Sequence, residues 1–206
     1  METGSPASSP LPVAYDLESV IATSELEQRS NRHSNREAET EAELELTREL
    51  AKSPLQFFQK LVDTVLKLSL AESAGISLLD EKNGRFVWPA VAGGLVPYVG
   101  GGTPRNFGPC GTVLDLNKPV LFQHPERHFG YLEPISPPLE EVLLIPFHVD
   151  GKAVGTIWAV IHSRDRKFER EDRRLLQNLS AFASTAFQVL AGVGALAPLL
   201  ESKPKV

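Results

Sequence analysis

The spacing of apolar positions changes along the chain, and each change marks a different element. Phe58, Leu61, Val62, Val65 and Leu66 recur at the interval of one helical face, and Phe57 and Leu68 widen that stripe. Ser53 reads as an N-cap, Pro54 as the first helical position and Gln56 as the capping-box partner. The helix is expected to start there and stop near Gly75. Beyond it the period shortens. Gly75 to Asp80 is a short apolar run, Asn83-Gly84 is a strong hairpin signal, and Phe86 to Ala92 resumes as a strand. Pro89 within that strand predicts an edge position or a bulge. A second pair of apolar runs, Glu141 to Val149 and Lys152 to His162, meets at Asp150-Gly151 and predicts another hairpin. Leu175, Leu179, Phe182, Ala183, Ala186, Phe187 and Leu190 line one face of a last helix, from about Glu169 to Leu190.

Between the hairpins the pattern breaks down. Residues 93–110 are rich in glycine, Gly111 to Leu116 is short enough for a small helix, and Pro119 to Phe122 reads as a strand. The segment His124 to Pro138 carries four prolines and reads as irregular. Hairpins imply antiparallel pairing, and helices at both ends cover the sheet, so the predicted class is α+β. Residues 1–36 are expected to be a disordered or linker extension, with 1–12 rich in Ser and Pro and 29–36 polar throughout. Residues 37–52 are expected to form an acidic helix, either solvated or serving signalling or dimerisation. Its apolar contacts would be Leu44, Leu46 and Leu50. The tail from Ala191, including 193–206, reads as weakly structured.

Charge sharpens that division. Residues 16–52 carry ten acids and five bases, whereas 53–206 carry fifteen acids and sixteen bases. The acidity therefore belongs to the N-terminal extension, and a net charge of −5 gives no reason to expect nucleic acid. No apolar run approaches the roughly 18 residues of a membrane span. The N-terminus lacks the pattern of a secretory signal. One cysteine, Cys110, excludes an internal disulfide and fits a cytoplasmic location.

Several segments resemble the GAF domain family. Ala74-Gly75-Ile76-Ser77-Leu78-Leu79 resembles its first strand. Leu144 to Phe147 with Gly151 to Ile157 resembles its closing hairpin, and Phe168 into Leu175-Leu176 resembles the start of its last helix. Asn106 to Leu114 and His124 to Phe129 resemble a branch found in bacterial histidine kinases. The resemblance covers roughly residues 53–192. It implies a central antiparallel sheet of five to six strands flanked by helices. It also implies a role in binding small ligands, cyclic nucleotides or tetrapyrroles, or in dimerisation alone. No kinase, cyclase or DNA-binding pattern follows the domain, so the output is expected to lie in another protein or a missing part.

Candidate chemistry centres on the irregular segment 93–138, because long structureless stretches inside a compact domain are usually functional. Tyr98, Phe107, Cys110, Phe122, His124, His128 and Tyr131 are expected to contact a small-molecule ligand between this segment and the sheet. The competing reading is that these rings complete the core. Cys110 opens the possible helix, where a helix terminus lowers a thiol pKa, but it has no resolving partner. In the resemblance, bilin-binding relatives place a histidine after the attachment cysteine, where this chain has Gly111, and sulfoxide-reducing relatives use several cysteines. His124 and His128, four apart, with Glu126 and Cys110, are candidate metal ligands by type, but no metal is expected. Gly100 to Gly102 lack the Gly-Lys-Ser/Thr ending of a phosphate loop. His148 and His162 end apolar strands and read as sheet-edge residues. The basic run Arg164 to Arg174 is interleaved with acids and reads as a paired surface.

The expected function is therefore a sensory or regulatory domain without catalytic residues. It would bind a small molecule, take no cofactor the sequence can name, form a homodimer through its terminal helices and signal through those helices to a separate partner, a histidine kinase or other signalling protein. The alternatives are a purely structural dimerisation or docking module, and a cysteine-dependent enzyme or tetrapyrrole photoreceptor.

Overall fold

The computed structural model describes residues 15–201. The expected lead 1–12 and the end of the tail, 202–206, lie outside them. Among the described residues seven α-helices appear in chain order: α1 (Leu17–Val20), α2 (Thr23–Gln28), α3 (Arg36–Lys52), α4 (Phe57–Leu68), α5 (Pro109–Leu116), α6 (Arg170–Gly192) and α7 (Ala197–Leu200). Five strands, β1 (Ser73–Asp80), β2 (Arg85–Gly93), β3 (Val120–Gln123), β4 (Glu141–Val149) and β5 (Lys152–Ile161), form one sheet in the order β2-β1-β5-β4-β3. Every pairing is antiparallel, so the α+β class holds with five strands.

Both hairpin signals mark real turns. Gly84 takes the left-handed conformation with φ 61°, and the β4–β5 turn uses φ 50° at Asp150 and 76° at Gly151. Pro89 lies on the edge strand β2, and the β1–β2 register slips between Ile76 and Leu78 opposite it. Alternate residues of the strands face opposite layers. Ile76, Leu143, Ile145, Phe147, Ile157 and Ala159 meet the helices, packing with Phe58 and Leu61 of α4 and Leu175 and Leu179 of α6. Trp88, Val142, Leu144, Trp158 and Val160 face the opposite layer, built from the chain between Gly94 and Leu139.

Four local expectations need correction. Ser53 does not cap α4. Its N–H already bonds to Glu49 O at the end of α3, a 3-10 turn spans Pro54–Gln56, and α4 begins at Phe57. The helix ends at Leu68, not Gly75. Ser69 bonds back to Val65 O at 2.7 Å, and Ser73 and Ala74 already pair in the sheet. In α3, Leu46 is fully buried and Leu50 half-buried, whereas Leu44 is exposed. The tail is not loose up to Leu200: Leu196, Leu199 and Leu200 pack on the helix layer, and Arg85 donates to Leu200 O.

The largest departure is the segment 15–35, expected as linker. It forms a strap along the outer edge of β3. Ala22 N–H bonds to Leu121 O at 2.8 Å, and Leu121 N–H bonds to Thr23 Oγ1 at 3.0 Å. Arg29 makes a bidentate pair with the buried Glu141 at 2.7 and 2.9 Å. Arg32 reaches the fully buried Asp172 at 2.7 Å. Arginine suits both positions because its planar fork matches a carboxylate. Leu46 of α3 and Leu175, Leu179 and Leu190 of α6 pack within the chain, while Leu44 of α3 stays exposed.

Candidate functional site

The layer opposite the helices closes incompletely. Between the sheet and the covering segment 94–139 lies a cavity of about 40 Å³. One water needs roughly 10–15 Å³, and pockets for larger ligands run to about 300–1,000 Å³. The space is therefore a few water volumes in size, far below a pocket for a larger ligand. Leu95, Pro125, Leu132, Ile135 and Leu139 line it from the cover, and Trp88, Val142, Leu144, Trp158 and Val160 line it from the sheet. No charged side chain lines it. Its aromatic wall depends on Gly75, where an added Cβ would lie 2.1 Å from the Trp158 ring. Glycine lets that ring lie across β1 and meet Trp88 edge-on, with centroids 5.5 Å apart.

The polar atoms of the site gather at Cys110. Trp158 Nε1–H donates to Ser77 Oγ at 3.0 Å, Ser77 Oγ lies 3.2 Å from Cys110 Sγ, and Thr156 Oγ1 donates to that sulfur at 3.6 Å. Burial pushes the thiol pKa up, against the opposing pull of the Ser77, Thr156 and Thr103 hydroxyls. The helix terminus of α5 does not reverse that direction. Thr103 stands near enough to act on the thiol, but its hydroxyl makes no well-formed hydrogen bond. Trp88 Nε1 and Thr103 Oγ1 are both buried without a partner among the described residues.

One clasp fastens both ends of the cover. His162 Nδ1 lies 2.7 Å from Pro138 O, and a carbonyl only accepts, so Nδ1 carries the proton. Nε2 then accepts from Ser73 Oγ at 2.7 Å, and Ser73 Oγ accepts from Leu95 N–H at 3.0 Å. The pairing has the form of a nucleophile and its base, but Ser73 is fully buried, so it holds the loops together. The clasp was not legible, because His162 finds its partners 89 and 24 residues away.

Of the seven residues expected at the ligand, Cys110 alone lines the cavity. Phe122 is buried beside Phe129. Phe107, His128 and Tyr131 gather around Phe129 on the outer side of the cover, Phe107 being 48% exposed. Burial raises the Tyr131 phenol pKa, with the nearby Cys110 adding to it. Tyr98 Oη accepts from Ser136 N–H at 2.9 Å within the cover. His124 adopts φ 47° and lies 3.4 Å from Glu126 and 3.5 Å from Glu140, while His128 Nδ1 turns to Tyr15 O at 2.6 Å. The two histidines thus serve different neighbours, and among the described residues no three His, Cys, Asp or Glu side chains are arranged to hold one metal ion. Sequence reading missed Trp88 and Trp158. Their signal was a pair of strand tryptophans, one of them opposite a glycine in the β1–β5 register.

Residues 51–188 match the family model described as the GAF domain. The chain belongs to the GAF domain family. Among solved structures, this GAF domain resembles that of the Acinetobacter phosphoenolpyruvate-protein phosphotransferase at 22% identity and TM-score 0.66. That match covers 79% of this chain and 98% of that one. It also resembles the free methionine-R-sulfoxide reductase of Neisseria meningitidis, solved with its substrate, at 16% identity and TM-score 0.63, covering 80% and 97%. The GAF-B domain of DevS from Mycobacterium smegmatis matches at 18% identity and TM-score 0.56, covering 70% and 99%. At these identities the likeness carries the fold. Comparison with curated proteins finds no match. No helix among the described residues is long and apolar enough to cross a membrane.

Proposed function

We propose that this GAF domain is a cytoplasmic regulatory module that binds a small molecule beneath the 94–139 cover and reports its presence through the 15–35 strap to a separate signalling protein. One observation carries the reading: the same stretch of cover touches both cavity and strap. Pro125 and Leu132 line the cavity, while between them Arg127 stacks on the Tyr15 ring at 5.7 Å and His128 bonds to Tyr15 O. A ligand that displaces Pro125 and Leu132 therefore moves the strap's anchor. The resemblance of 106–114 and 124–129 to histidine-kinase GAF domains supports a kinase as the partner. Cys110 takes no catalytic role in this reading, because its thiol is buried and protonated and the chain has no second cysteine. A homodimer through the terminal helices belongs to this reading as well, with the exposed Leu44 of α3 as apolar surface for it.

A thermal-shift screen of uncharged metabolites against the wild type and a cavity-filled Val142→Phe variant tests this reading. Compounds that stabilise the wild type should lose their effect in the variant and should change hydrogen exchange in 15–35 as well as in 94–139. Stabilisation that survives the filling, or leaves the strap unchanged, refutes it. The small volume of the cavity favours a second reading, a docking module with a permanently closed pocket. That reading expects no stabilising compound at all.

A further inference from the structure

Two residues that line the cavity carry buried donors without a well-formed hydrogen bond. Trp88 Nε1 and Thr103 Oγ1 are buried and unpartnered among the described residues, and both residues line the space. Trp88 is 8% exposed and Thr103 4%, so bulk water does not solvate them. Native structures rarely keep such groups without a reason. The indole N–H is a donor only, so its missing partner must be an acceptor.

The rest of the lining limits what that acceptor belongs to. It is alkyl and aromatic carbon apart from Cys110, and it holds neither a cation nor a carboxylate. A phosphate, carboxylate or ammonium entering here would shed its hydration with no opposite charge to receive it. A pure hydrocarbon would leave the two donors orphaned. We propose that the cavity takes an uncharged small molecule with a compact apolar body and one acceptor atom, a carbonyl or ether oxygen, held by Trp88 Nε1 and Thr103 Oγ1. This rests on reading the cavity as a ligand site, and it names the chemistry that the site selects.

Three probes of similar ring size separate the terms. Cyclopentanone has the acceptor, methylenecyclopentane has the same shape without it, and cyclopentanecarboxylate adds a full charge. The chain has two tryptophans, so ¹⁵N-labelled protein gives two indole resonances that Trp88→Phe assigns. Cyclopentanone should move the Trp88 resonance and raise the melting temperature. Methylenecyclopentane should bind at least about tenfold more weakly, and the carboxylate should not bind. Thr103→Val, close in shape but lacking the hydroxyl, should keep the fold and weaken cyclopentanone severalfold. Equal binding of ketone and hydrocarbon, or binding of the carboxylate, overturns the acceptor chemistry and leaves the cavity as a ligand site. Binding of none of the three overturns the inference. A Trp88 indole proton that then shows a persistent Overhauser contact to a long-lived water brings down the ligand reading with it.

Discussion

The two layers on this sheet are built from the same strands and end differently. On one side α3, α4 and α6 bury Leu46, Phe58, Leu61, Leu175 and Leu179 to complete closure. Their apolar stripes repeat at the helical period, and each helix satisfies its own backbone. On the other side the layer is short helix, 3-10 turns and loop. Such chain cannot present a continuous stripe, and it leaves a void with two orphan donors. The helix side is a scaffold because its packing is self-consistent. The loop side is where a local rule is broken, and such breaks concentrate at functional sites.

The largest expected effect tests whether the two layers differ in rigidity. Phe58→Ala on the helix side removes a ring that is 2% exposed and should cost about 4 kcal/mol. Leu139→Ala borders an existing void and should cost about 2 kcal/mol, since its neighbours already lack full contact. Urea unfolding of both variants measures the gap. Equal losses would mean that the cover packs as tightly as the helices, removing the basis for treating it as mobile.

Much of this contrast is legible in the sequence, and the limits have physical causes. Asn83-Gly84 and Asp150-Gly151 set both hairpins, because few residue pairs tolerate the backbone those turns need. The irregular composition of 93–138 marked the cover. The residues within the site were harder. β4 and β5 are buried on both faces, so Leu143-Leu144-Ile145 and Ile157-Trp158-Ala159 read as unbroken apolar runs with no visible inward side. The aromatics of the cover are the visible candidates instead, and Phe107 and Tyr131 lie tilted against each other with both side chains partly exposed. The strap was illegible for a different reason. Arg29 and Arg32 sit in a polar run that looks like linker, and their partners lie 112 and 140 residues away.

That strap supplies the next effect, and it borders the comparison because it seals the β3 edge between the layers. Arg29→Met leaves Glu141, 3% exposed, with only Phe168 N–H and Gln123 as donors. Removing one partner of a buried ion pair costs roughly 3 kcal/mol. The variant should lose about that much stability, and hydrogen exchange in 15–35 should rise before global unfolding. Adding Glu141→Gln should recover part of the loss by removing the stranded charge. A single variant within about 0.5 kcal/mol of wild type, the range of ordinary surface changes, would show that the strap is not anchored there.

The smallest effect concerns acid, and it falls on the loop side. Glu72 precedes Ser73 of the clasp and holds the chain just beyond β5. Burial opposes its charge, but the Ser163 hydroxyl, the His162 and Ser163 backbone N–H groups and Arg166 bring its pKa down to about 2. An unfolded glutamate titrates near about 4.3. A folded pKa below the unfolded one stabilises the protein above the unfolded value, and that stability disappears as pH falls through the folded one. The Glu72 contribution should therefore be complete above about pH 5 and vanish towards pH 2. Partial contact with water screens it, so on the order of 1–2 kcal/mol remains. Asp80, held low by Asn83, and Glu171, held low by Arg174, likewise lose stabilisation as pH falls. The informative quantity is thus the difference between wild type and Glu72→Gln. It should be about 1–2 kcal/mol at pH 6 and close to zero near pH 2, with faster exchange at 94–98 and 136–139 in the variant. A difference that stays constant with pH would assign Glu72 a packing role and leave the clasp without its charged support.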